Sequence, residues 1–333
     1  MSADGKTQKK DLSADCTSML DAFGLVLDRR FEPHFLKADQ ASEVIRVYCT
    51  FATGSKAFVL KRRPVEALAY PAELTAGLEN LLDAHADRKL FPQRRRATTG
   101  STAIVSISDG QTYCISASEY IADAAVYDWQ QSTAAWSDSQ SFGAGRLLAS
   151  LHRAGRLACA ELGADERTLL GSILPSLPEQ FAAQLSDNWP TERRAAMVQA
   201  LNEAIATLSK ETDESEGNDR TIVHGDFHPG NVLFIGAEAQ YAIDLDYAHI
   251  ENPLYDLAYA TLMFGDKRSD ALLRGYQSEA TWEGASSIDS KKFDCYRKAA
   301  AALILLWLEA DQSAVESDRD QLKKRLADRI RRT

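Results

Sequence analysis

The spacing of apolar residues changes along the chain. Residues 43–50 (EVIRVYCT) and 56–61 (KAFVLK) are β-branched and aromatic runs parted by Thr53-Gly54, which predicts an antiparallel hairpin. Residues 103–108 and 112–121 repeat that texture around Asp109-Gly110, a second hairpin signal. Leu74, Leu78, Leu81 and Leu82 fall at helical spacing and predict a helix over 71–86. Residues 12–28 carry spaced apolar positions that start as a short helix, and the polar residues 1–10 read as a disordered tail.

Beyond Ile121 the pattern turns helical. Residues 142–158 carry an apolar stripe at Leu147, Leu148, Leu151 and Leu157. Further helices are expected over 179–185, 191–209, 252–264, 270–279, 291–310 and 318–331. Between them lie an acidic loop at 210–220 (KETDESEGNDR) and three short apolar strands at 221–224, 232–235 and 241–245. The pattern therefore predicts an α+β chain. A small antiparallel-sheet lobe over 1–121 precedes a large helical lobe over 122–333, with a hinge near 119–124.

Charge sharpens this division. The formal net charge is −10, yet residues 1–121 hold 16 Lys and Arg against 15 Asp and Glu. The remaining 22 basic and 33 acidic residues place all the excess in the second part. An acidic chain argues against nucleic acid as partner, because phosphate neutralisation needs basic patches. Five scattered cysteines without a C-x-x-C pair argue against a disulfide framework or a zinc site. The first fifteen residues hold no apolar stretch of a secretory signal. The most apolar run, residues 299–308 (AAAALILLWL), has half the length of a spanning helix and reads as a buried core helix. No membrane partner and a cytoplasmic location are expected.

The chemistry concentrates in residues 224–246 (HGDFHPGNVLFIGAEAQYAIDLD). Asp226 and Asn231 stand five residues apart across a Pro229-Gly230 turn, and Asp244 ends an apolar strand thirteen residues on. Polar groups on short loops between buried strands are rigidly placed. One carboxylate to orient a hydroxyl, with an amide oxygen and a second carboxylate to hold a divalent cation, is the inventory of phosphoryl transfer.

The segment resembles the catalytic and metal loops of the aminoglycoside phosphotransferase and choline kinase-like family, relatives of the protein kinases. The pattern H-G-D-x-x-x-x-N is met by His224, Gly225, Asp226 and Asn231. The following I-D-x-D is met by Ile243, Asp244, Leu245 and Asp246, and D-L-A by Asp256, Leu257 and Ala258. The resemblance spans about residues 30–310. It implies a protein kinase-like bilobal fold, ATP and Mg²⁺ as cofactors, and a small molecule with a hydroxyl as acceptor.

Residue by residue, it implies that Asp226 is the catalytic carboxylate and that Asn231 and Asp244 bind the metal. His224 and Asp256 would support the loop, and Asp246 either touches a second metal or lends polar support. Lys61 resembles the strand lysine on the α- and β-phosphates, with Glu73 preferred over Glu79 as its partner. The backbone of Glu119, Tyr120 and Ile121 would meet the adenine edge. His152, on the helix before the catalytic loop, would pack or brace. The turn over residues 36–42 departs from the family in lacking glycine. Either Ser42 and neighbouring amides approach phosphate there, or the turn stands further off.

Three rival readings compete with this one. A zinc hydrolase built on His224, Asp226 and His228 leaves Asn231 and Asp244 unexplained. A non-catalytic nucleotide-binding regulator would be expected to lose one of the four key residues. A protein kinase would need an activation segment before A-P-E, and the chain instead runs from Asp244 directly into a helix. The acidic second part favours an amine-bearing acceptor, with Tyr255, Trp282, Glu283, Trp307 and Glu309 as contacts suggested only by location.

Overall fold

The computed structural model describes residues 12–38, 42–68, 72–108, 110–127, 136–186, 188–214, 220–280, 288–310 and 316–331. The chain divides into two compact units, residues 1–78 with 92–122, and residues 79–91 with 123–333.

In the first unit, helix α1 (Leu12–Ala22) precedes strands β1 (His34–Ala38), β2 (Glu43–Phe51) and β3 (Gly54–Pro64). Helix α2 (Ala72–His85) begins here, and β4 (Ile104–Ser108) and β5 (Gln111–Glu119) complete a five-stranded antiparallel sheet of order β1-β2-β3-β5-β4. The period-2 alternation decides which face is wet. Ile45, Val47 and Cys49 of β2, Phe58 and Leu60 of β3, and Ile115 and Ala117 of β5 pack against Cys16, Met19, Leu20 and Phe23. Lys61 of β3 falls on the opposite face.

Nothing in the apolar pattern attaches the end of α2 to the second unit. Three contacts make that attachment. Leu90 O accepts from Ala242 N at 2.8 Å, His85 Nε2 meets Glu161 at 2.9 Å, and Arg153 meets Asp87 at 2.6 Å.

The second unit holds α3 (Asp138–Glu161), α4 (Ala164–Leu169), α5 (Leu177–Gln184), α6 (Thr191–Glu214), β6 (Thr221–Val223), β7 (Val232–Ile235), β8 (Glu238–Ala242) and β9 (His249–Glu251). It closes with α7 (Pro253–Phe264), α8 (Asp266–Glu279), α9 (Ser290–Ala310) and α10 (Glu316–Arg331). The strands form two ribbons, β6-β9 and β7-β8. The apolar run in α9 is buried core, with Ala299 to Ala302, Ile304, Leu305 and Leu308 packed among α6, α7 and α10 residues. No helix among the described residues is long and apolar enough to cross a membrane.

Two readings shift. The expected loop at 210–220 is helical through Glu214, and residues 215–219 lie outside the described ones, as do the expected tail, Trp282 and Glu283. The strand expected to reach Leu245 ends at Ala242, with one further backbone hydrogen bond from Ile243, because Asp244 takes φ 70°, ψ 65°, a left-handed backbone that no strand continues.

Helix α3 is placed by a capping box, Ser137 with Gln140. It approaches its neighbours through glycines. A Cβ on Gly145 would stand 2.1 Å from Leu272 O, and one on Gly275 2.0 Å from Phe142 O, both backbone atoms. Gly145→Ala and Gly275→Ala are each expected to cost about 1–3 kcal/mol by forcing α3 and α8 apart. Urea denaturation checks this, and an unchanged midpoint would contradict the close approach.

Candidate active site

Strand β6 delivers the loop His224-Gly225-Asp226-Phe227-His228, and a 3₁₀ turn over Pro229–Asn231 leads into β7. Gly225 has φ 80°, and a Cβ there would stand 2.0 Å from Tyr247 O, so only glycine fits. His224 is buried and both ring nitrogens are engaged by backbone. Nδ1 accepts from Asp226 N at 3.3 Å, so the ring carries its proton on Nε2, which donates to Ile243 O at 2.9 Å. This ring therefore ties the catalytic loop to the residue before Asp244, and the arrangement does not suit a zinc ligand.

Asp256, fully buried near the start of α7, holds the loop from below. Its Oδ2 accepts from His224 N at 2.5 Å and its Oδ1 from Gly225 N at 2.8 Å. Asn252 caps α7 by accepting from Leu254 N at 3.0 Å, with Pro253 at the first position, and this sets the register that turns Asp256 toward the loop. His152 of α3 stands behind, Nε2 at 3.1 Å from Asp256 Oδ2 and Nδ1 at 2.8 Å from Tyr276 Oη. Burial lowers the imidazole's proton affinity, so the neutral ring donates from Nε2 and accepts at Nδ1 from the Tyr276 phenol, itself pushed up by burial. His152 thus braces the loop.

Asp226 is the accessible carboxylate of the group, its side chain 26% exposed. Tyr259 donates to Oδ1 at 2.6 Å and Asn231 Nδ2 to Oδ2 at 3.0 Å. His228 accepts from Gly230 N at Nδ1, which leaves its Nε2–H facing Oδ2 at 3.4 Å. Burial pushes the carboxyl up, but His228 and Tyr259 outweigh it and hold it below the usual range.

Asn231 is buried, and its amide nitrogen is spent on Asp226 O at 2.9 Å as well as on Oδ2. Its side-chain oxygen is thereby turned away from Asp226. Ile243 N donates to Asn231 O at 3.0 Å, continuing the β7–β8 pairing by one residue. Asn231 and Asp244 thus sit at the joined ends of these two strands. The left-handed Asp244 is a non-glycine residue in strained backbone, a conformation that gathers at functional sites. An amide and a carboxylate oxygen are both hard donors of the type that divalent cations take. Asp246 is half-buried in the adjoining 3₁₀ turn.

In the first unit, Lys61 lies on β3, the central strand, paired with Val44 and Ser116. It is half-buried and is no member of a solvated basic cluster, since Arg62 pairs with Glu43 at 2.5 Å and Arg63 is buried. Ser42 is buried at the entry to β2, and residues 39–41 before it lie outside the described ones. Glu73 is exposed in the first turn of α2, where Ser101 Oγ approaches it at 3.4 Å, whereas Glu79 is buried. Of the three segments expected at the adenine edge, the N–H groups of Glu119 and Tyr120 are committed, to Gln93 O at 2.9 Å and Ala57 O at 3.2 Å.

Tyr255 is core, and Glu309 binds Trp189 Nε1 at 3.1 Å and Lys323 at 3.0 Å, while Trp307 is exposed. Tyr259 and the role of His228 escaped the sequence reading. The signal for Tyr259 was its place three residues after Asp256 on one helical face.

Solved structures share the fold at low identity. An amicoumacin kinase, hAmiN, in complex with AMP-PNP, Ca²⁺ and Ami is 15% identical, with 97% of this chain and 93% of that chain covered and a TM-score of 0.67. A microcompartment-associated aminopropanol kinase is 13% identical over 96% and 95%, TM-score 0.62. The spectinomycin phosphotransferase APH(9)-Ia in complex with ADP and spectinomycin is 14% identical over 95% and 97%, TM-score 0.60. The search of curated proteins found no match. The model of the phosphotransferase enzyme family matches residues 46–288, with Lys61, the catalytic loop, Asp244 and Asp256 all inside it. With a mixed α+β, protein kinase-like fold and this loop geometry, the chain belongs to the phosphotransferase enzyme family, that of the aminoglycoside phosphotransferases and choline kinase-like enzymes.

Proposed function

We propose that the protein transfers the γ-phosphoryl group of ATP, with Mg²⁺, to a hydroxyl of an amine-bearing small molecule in the cytoplasm. The observation that carries this is the Asp226 carboxylate, accessible on one side and clamped by three donors, from Tyr259, Asn231 and His228. Asp226 accepts the acceptor's hydroxyl proton as that oxygen bonds to the γ-phosphorus. The bond from γ-phosphorus to the bridging oxygen breaks, and its electrons leave on ADP. Asn231 and Asp244 hold the metal, which when bound neutralises charge on the phosphates.

Lys61 contacts the α- and β-phosphates. Glu73, exposed in the first turn of α2, is its partner, with the buried Glu79 as the alternative. Ser42 lies at the phosphate end. The backbone of Glu119, Tyr120 and Ile121 meets the adenine, and with the other two N–H groups committed, the donor there is Ile121 N–H. Asp246 lends polar support. All five cysteines are free thiols, which supports a reducing compartment.

Relatives that include an aminopropanol kinase and a spectinomycin phosphotransferase support a small acceptor, and the excess acidity of residues 122–333 supports an amine. A panel of amino alcohols, amino sugars and plain sugars, read by ADP release, is expected to give the fastest turnover with an amine. That turnover should fall as ionic strength rises. A neutral or anionic acceptor as best substrate would overturn the amine preference. ATP binding without ADP release across the panel would replace the enzyme by a nucleotide-binding regulator.

A further inference from the structure

Helix α7 meets the catalytic loop through the Phe264 ring, stacked on Phe227, and through hydrogen bonds from two of its side chains. Asp256 holds the loop's backbone, and Tyr259, three residues on and on the same helical face, reaches the loop's functional side chain. The Asp256 contact is to backbone N–H groups, whereas the Tyr259 contact is to a side-chain carboxylate.

The two oxygens of Asp226 are unequally occupied. Among the described residues, Oδ2 faces two donors, Asn231 Nδ2 at 3.0 Å and His228 Nε2 at 3.4 Å. Oδ1 accepts one hydrogen bond, from Tyr259 Oη at 2.6 Å. A carboxylate oxygen has about two lone-pair sites, so Oδ1 is the oxygen with room for a further donor. From this we infer that Oδ1 is the atom that receives the acceptor hydroxyl, and that Tyr259 is a positioning residue that stops the carboxylate turning as the hydroxyl binds.

The phenol suits the task. It is 7% exposed, and burial together with the neighbouring Asp226 charge pushes its ionisation well above the ordinary tyrosine value, so it remains an O–H donor. Its ring is carried on a capped helix, so the donor is held on a rigid element. Phenylalanine would fill the same volume and lose only the hydrogen bond.

The inference rests on the phosphotransfer reading, and the experiment separates the two. Tyr259→Phe, assayed by ADP release with Mg-ATP and the best acceptor of the panel, is expected to lower kcat roughly 10- to 100-fold, the scale of an ångström of misplacement. KM for ATP and the calorimetric ATP affinity should stay within about twofold, a split that general loosening of the fold would not produce. In an Asp226→Ala background the same change should have no further effect on the residual rate, because Tyr259 acts only through that carboxylate. Replacing Tyr259 by 3-fluorotyrosine keeps the packing and alters donor strength, so it should change kcat even if Tyr259→Phe folds poorly. A kcat within twofold of the unmodified protein in both variants, or a full loss that persists in the Asp226→Ala background, overturns the inference alone. No ADP release by the unmodified protein with any acceptor overturns the phosphotransfer reading and this inference with it.

Discussion

Replacing Asp226 by Asn is expected to lower kcat by about 10³-fold while nucleotide affinity stays within about threefold. The expectation follows from the donors around the group. The amide oxygen can take the Oδ2 position and accept from Asn231 and His228, and the amide nitrogen can donate to Tyr259 Oη once the phenol turns its hydrogen away. The loop therefore keeps its shape, and what is lost is the negative charge that receives the hydroxyl proton. Steady-state ADP release gives the rate, and titration calorimetry gives the nucleotide affinity. A rate within tenfold of the unmodified protein would remove Asp226 from the chemistry.

Asp256→Ala is expected to cost about 3–5 kcal/mol of stability and to abolish turnover. The carboxylate answers three buried donors, His224 N, Gly225 N and the His152 ring. Each buried donor left unanswered costs about 1–3 kcal/mol, offset in part because a buried charge disappears with the side chain. No other acid can replace it. Gly225 cannot shift toward β9, since Tyr247 O already stands where its Cβ would be. Chemical denaturation measures the loss, and a change below 1 kcal/mol would show that the loop is held elsewhere. The contribution also has a pH sign. Burial pushes the Asp256 carboxyl up, but the hydrogen bonds it receives hold it below the ordinary range. Its stabilisation is thus complete above the unfolded value of about 4 and is lost as pH falls below it.

Much of the loop chemistry was legible because its spacing is local. His224, Asp226 and Asn231 lie within eight residues, and a Pro-Gly turn flanked by apolar strands admits few conformations. The hairpins of the first unit were legible for the same reason, since Thr53-Gly54 and Asp109-Gly110 mark the turns and alternation sets the faces. Lys61 was singled out as a lysine on a buried strand, and the central place of β3 explains why its charge cannot be left to solvent. The different burial of Glu73 and Glu79 was not legible. Both occupy the amphipathic helix α2, and their burial differs only through what packs on each turn. The end of the strand at Ala242 was hidden because the left-handed turn at Asp244 overrides the apolar run before it.

The sequence by itself determined the types and order of most elements, the α+β class, and the loops that carry Asp226, Asn231 and Asp244. These depend on short-range periodicity and turn chemistry, which neighbouring residues settle between themselves. Only the tertiary structure decided that His152, Asp256 and Tyr276 form one brace, that Gly145 and Gly275 let α3 and α8 meet at backbone distance, and that Tyr259 reaches Asp226. Those partners stand between 33 and 133 residues apart, from Asp226–Tyr259 to Phe142–Gly275. Which side chain meets which across such a separation follows from helix register, capping and close packing, and no period in the sequence encodes it.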